Sequence, residues 1–75
     1  MTMSTPIFAK TLAHDGHVRS FLIQPEPAIG WVASQEDDWR EVMHREYSDW
    51  HRVERLVTQF QGEIRELETE GWVRI

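Results

Sequence analysis

Cysteine is absent from the 75 residues, lysine and tyrosine occur once each, and no run of apolar side chains exceeds three, as in Phe21-Leu22-Ile23. Without cysteine there is no disulfide framework, no thiolate zinc site and no thiol nucleophile. Runs of three fall far short of the ~20 residues that a membrane span needs, so no membrane contact is expected. Glycines are isolated, at Gly16, Gly30, Gly62 and Gly71, so no loop resembles a phosphate cradle. The opening stretch from Met1 to Pro6 has no basic side chain and leads into no secretory apolar core. It reads as a frayed tail over residues 1–6, and the cytoplasm is the expected compartment.

What is present suits one small domain over residues 1–75. Apolar residues make up 40% of the chain, and four of them are tryptophan. A domain of this size buries only about 60% of its unfolded surface, so each bulky side chain weighs heavily in its stability. Thirteen acids against eight bases give a formal charge of −5, which opposes a nucleic-acid backbone. The imbalance is local. Residues 1–35 are neutral overall, and the whole excess falls in residues 36–75, where six arginines meet eleven acids.

Asp15-Gly16 separates two stretches of β-forming residues, and Asp-Gly suits a type I′ hairpin turn because both central residues need positive φ. Strands are therefore expected over residues 7–14 and 17–24. A two-residue turn pairs His14 with His17, Leu12 with Arg19, Lys10 with Phe21 and Phe8 with Ile23, all on one face. The other face holds Ile7, Ala9, Thr11 and Ala13 opposite Gln24, Leu22, Ser20 and Val18. Pro25-Glu26-Pro27 should end the second strand. Residues 28–35 read as a third strand with Gly30 as a bulge, and Glu36-Asp37-Asp38 as a turn. Residues 39–47 then form a fourth strand, unless 37–47 coil into a short helix on Trp39, Val42, Met43 and Glu46.

From Ser48 onward the period changes. Trp50, Val53, Val57, Phe60, Ile64 and Leu67 recur at helical spacing with Leu56 beside them, Ser48 serves as N-cap, and Gly71 stops the helix. Trp72 to Ile75 should fold back on the sheet or add a short edge strand. The expected fold is α+β: an antiparallel β-meander of three to four strands over residues 7–47, packed by one long C-terminal helix over 48–71.

One helix covers one side of a sheet, so part of the aromatic surface is left for a partner. Aromatic residues dominate binding hot spots because they join large apolar area to a polar handle. The leading expectation is a non-enzymatic protein-interaction module that meets a protein partner, or a second copy as a homodimer, through Phe8, Phe21, Ile23, Trp31 and Trp39. That set depends on which sheet face the helix covers. The alternative is phosphoanion or nucleic-acid binding by Arg45, His51, Arg52 and Arg55 near the helix N-terminus. Asp49 competes for that position, and Glu46 and Glu54 can pair with the arginines.

The helix charges oppose its dipole: His51, Arg52 and Arg55 lie in the first half, whereas Glu63, Glu66, Glu68 and Glu70 crowd the last two turns. Two helices packed antiparallel would match basic half to acidic half. His14 and His17 share one hairpin rung, but two imidazoles do not make a metal site. Ser48, Asp49 and His51 supply the residue types of a triad without room for its geometry. No metal, cofactor or catalytic residue is therefore assigned.

Overall fold

The computed structural model describes residues 5–75. Most of the tail expected over 1–6 thus lies outside the described residues. Five strands, β1 (Phe8–His14), β2 (His17–Glu26), β3 (Gly30–Asp37), β4 (Arg40–Tyr47) and β5 (Val73–Arg74), form one antiparallel sheet. Their order is β4-β3-β2-β1-β5, with helix α1 (Trp50–Thr69) across one face. The fold is the expected α+β meander and helix, with one more strand than the three to four anticipated.

The first hairpin follows its turn chemistry. Asp15 and Gly16 both have positive φ, at 49° and 79°, and β1 pairs with β2 in the expected register, from Phe8 opposite Ile23 to His14 opposite His17. The next strand corrects two expectations. β2 runs through Pro25, which pairs with Trp31 of β3. Pro25 lies beyond the start of β1, where β2 has a neighbour on one side only and its missing N–H disturbs no second ladder. The irregularity is not at Gly30 but between Gln35 and Glu36, opposite Val42. Gly30 instead permits a close approach of two strands. At φ 126° a Cβ there would lie 2.5 Å from the Tyr47 carbonyl oxygen, so only glycine lets β4 close against β3 at this point.

Residues 40–47 are strand, which removes the helical alternative for 37–47. The turn before them is shifted from the expected site. β3 continues through Glu36 and Asp37, and Asp38-Trp39 alone makes the reversal.

The helix is capped by Asp49 rather than Ser48: the Asp49 carboxylate accepts from the His51 backbone N–H at 3.0 Å. Its other end closes through Gly71, at φ 107°. The Gly71 N–H donates to the Glu68 carbonyl at 3.2 Å and the Trp72 N–H to the Leu67 carbonyl at 3.0 Å, the paired bonds of a Schellman ending. That ending turns the chain back so that Val73 and Arg74 pair with Ala13 and Leu12 of β1.

Core residues come from matching periods. Phe8, Leu12, Phe21, Ile23 and Ala33 on the sheet meet Val53, Leu56, Phe60, Ile64 and Leu67 on the helix, all buried. Trp31, Met43, Tyr47, Val57 and Trp72 pack around them. At the β5 end Arg19 is fixed twice, by an ion pair with Asp37 at 2.9 Å and by its guanidinium 5.2 Å from the Trp72 ring centre. Trp72 also meets the His14 ring, at 5.6 Å.

Candidate functional site

The helix decides which aromatics can meet a partner. It covers the face carrying Phe8, Phe21 and Ile23, so these three are core residues and not docking contacts. The physical reason is volume: that face holds two phenylalanines, a leucine and an isoleucine, whereas the other holds mainly alanine, serine, threonine and valine. Only the bulky face fills the space beneath a helix at native density. Trp31 is half-buried and stands 5.3 Å from Trp50, ring centre to ring centre. Trp39 is the exception among the five, 70% exposed at the tip of the β3–β4 turn.

Trp39 is held there by a strained but well-anchored turn. Asp38 and Trp39 have φ of 52° and 67°. Aspartate tolerates this left-handed region, but for a bulky residue such as Trp it is a true outlier. Three bonds fix Asp38 to the start of β2. Its N–H donates to the Val18 carbonyl at 2.7 Å, its Oδ1 accepts from the Val18 N–H at 2.9 Å, and its Oδ2 meets His17 Nδ1 at 3.0 Å. The His17 pair holds the imidazole pKa above its ordinary value and the carboxyl below its own, each mainly through that side-chain hydrogen bond. A large apolar side chain thus projects from a base that cannot easily turn.

A second aromatic surface lies at the opposite end of the sheet. Trp50, which the helical period places in the core, is 45% exposed. It lines a shallow groove of about 330 Å³ with Ile7, Glu54, Val57 and Thr58. Its place in the first turn sets it against Trp31 near the start of β3 and at the margin of the core, which periodicity alone does not show.

The arginine cluster is dispersed. Arg45 lies on β4, while Arg52 joins Glu46, Tyr47, Ser48 and Asp49 around a groove of about 310 Å³ that neither Arg45, His51 nor Arg55 lines. Asp49 already occupies part of the helix N-terminus, and His51 lies 3.6 Å from Glu54. Arg45, Arg52 and Arg55 have no carboxylate within ion-pair distance among the described residues, contrary to the expected network. On the hairpin rung the histidines diverge, His14 to Trp72 and His17 to Asp38.

The face of the sheet away from the helix is bare. Ala9, Thr11, Ala13, Val18, Ser20, Leu22, Val32 and Ser34 line its middle with Glu36 beside them opposite Ser20, and Thr11 Oγ1 meets Ser20 Oγ at 3.2 Å. No helix among the described residues is long and apolar enough to cross a membrane. Compared with family models, with curated proteins and with solved structures, the chain matches none.

Proposed function

We propose that this chain is a non-enzymatic protein-interaction module and that Trp39 is its anchoring contact. The observation that carries the reading is the conformation of Trp39: an exposed tryptophan on a left-handed turn where glycine would be more stable. Strain of this kind costs about 1–3 kcal/mol per residue and gathers where a side chain must be presented. The three bonds to Asp38 hold the turn in place before any partner arrives, so little ordering entropy is lost on contact. Large rigid aromatics of this sort supply most of the energy of a binding hot spot.

A photoreactive phenylalanine analogue at position 39, irradiated in the cells that make the protein, tests this. A discrete covalent adduct with one protein, missing when the analogue is placed at Glu70, is the expected result. Equal adducts at both positions, or none at 39, would remove Trp39 as an anchor.

A second reading, phosphoanion binding, is favoured by one observation: Arg45, Arg52 and Arg55 carry no ion-pair partner among the described residues. Phosphate contacts release counterions and weaken steeply with salt. A labelled oligonucleotide unshifted at low salt ends that reading.

A further inference from the structure

We infer that the bare face of the sheet is where a second copy of this chain docks, the two sheets stacking face to face with a helix on each outer side. The inference names self-association as one form of the interaction-module reading, but it rests on a sheet face that does not include Trp39 and is tested separately.

Composition of the face is the first support. Charged residues make up 28% of the chain, yet the β1 and β2 part of this face, over residues 9–13 and 18–22, has none, and Glu36 of β3 flanks it opposite Ser20. Every lysine and arginine on the strands, from Lys10 and Arg19 to Arg45 and Arg74, pairs in register with a helix-facing neighbour, whereas His44 pairs with Ser34 on the bare side. Exposed apolar side chains gather instead on the bare side. Val73 pairs with Ala13 and is 62% exposed, and Ile75, which donates its N–H to the Thr11 carbonyl at 2.9 Å, is 72% exposed. Small hydroxyl and methyl side chains between the valines and the leucine make a smooth surface, which suits the ~10 Å spacing of packed sheets.

Area is the second support. The five strands comprise 35 residues, and at about 16 Å² of sheet per residue the whole face, acidic margin included, presents roughly 550 Å². Two copies would bury roughly 1,100 Å², just above the floor of about 1,000 Å² for a specific interface. The dimer is therefore reversible on dilution. The competing self-contact, antiparallel packing of the two helices, lacks this apolar centre: apart from Trp50, the exposed helix residues are charged or polar. Glu36, Glu41 and Glu46 border the sheet face on the β3–β4 side and Glu26 closes it at the end of β2, so the β3–β4 margins of the two copies lie apart when the two-fold axis runs along the strands.

Light scattering on the full chain across a hundredfold range of concentration tests the inference. The wild type should approach twice the monomer mass at the concentrated end and fall toward it on dilution, with little response to salt. Leu22→Glu should stay at monomer mass throughout with an unchanged far-UV circular dichroism spectrum, since Leu22 lies outside the core. If that variant unfolds, Ser34→Lys carries the same test. Trp39→Gly should leave the mass unchanged. A wild type that remains monomeric, a Leu22→Glu or Ser34→Lys protein that still dimerises, or a dimer dispersed by salt would each overturn the inference. The last would transfer self-association to the helix charges. Either result leaves the Trp39 reading to its own cross-linking test.

Discussion

The Phe60 ring stands edge-on to Phe21, with centroids 5.0 Å apart and planes at 61°, and meets Phe8 at 5.8 Å. One helix residue thus joins the first two strands. Edge-to-face aromatic pairs contribute about 0.5–1.5 kcal/mol beyond their burial. Phe60→Ala should lower the free energy of unfolding by about 3–5 kcal/mol, a large part of what a 75-residue domain possesses. Urea denaturation followed by tryptophan fluorescence reads it, and a loss below about 1 kcal/mol would show that the core closes without this ring.

At the turn the prediction has the opposite sign. Trp39→Gly relieves a positive φ without opening the core, so stability should rise by about 1 kcal/mol. For a domain of this length that is roughly 4–8 °C in melting temperature. Thermal unfolding of the variant beside the wild type checks it. Reduced stability would mean that the indole makes contacts worth more than the strain.

Gly30 admits no side chain. A Cβ there meets the Tyr47 carbonyl at 2.5 Å on a backbone at φ 126°, so Gly30→Ala should destabilise the end of the β3–β4 ladder by more than the ~1 kcal/mol of an ordinary glycine replacement. Amide exchange should accelerate first at Trp31 and Tyr47. Uniform acceleration over the sheet would show that the end of the ladder does not open separately.

The His17–Asp38 pair gives the turn a pH window. His17 is raised above 6.5 in the folded chain, so its stabilisation is complete below that value and is lost as pH rises through the higher folded pKa. Asp38 is lowered below 3.8, so its share is present above that value and is lost as pH falls through the lower folded pKa. The turn is held most firmly between these limits. An NMR titration of the His17 ring should give a midpoint above 6.5, and Asp38→Asn should bring it down. An unmoved midpoint in the variant would detach His17 from the turn.

Local signals are the most legible. Asp15-Gly16 sets the register of β1 and β2 because a type I′ turn allows only one pairing of the residues that flank it. The buried stripe from Val53 to Leu67 is equally plain in the helical period. The N-cap is displaced by one residue because Ser48 and Asp49 both qualify by type, and only the backbone path decides which carries the bond. The candidate site is less legible: of the five expected contacts, Phe8, Phe21 and Ile23 are core, Trp31 is half-buried, and Trp39 alone stands clear. Side-chain volume on the two faces of the first hairpin held the missing signal.

Residue order by itself determined the first hairpin turn, the pairing of β1 with β2, the helix and its inner face, since each depends on neighbours within a few positions or on one fixed period. Only the tertiary structure decided that the helix lies over the phenylalanine face, that Trp50 sits half-exposed against Trp31, and that β5 joins as a fifth strand. Those outcomes depend on volume filled between layers and on where a chain re-emerges after 20 helical residues, and neither quantity is local.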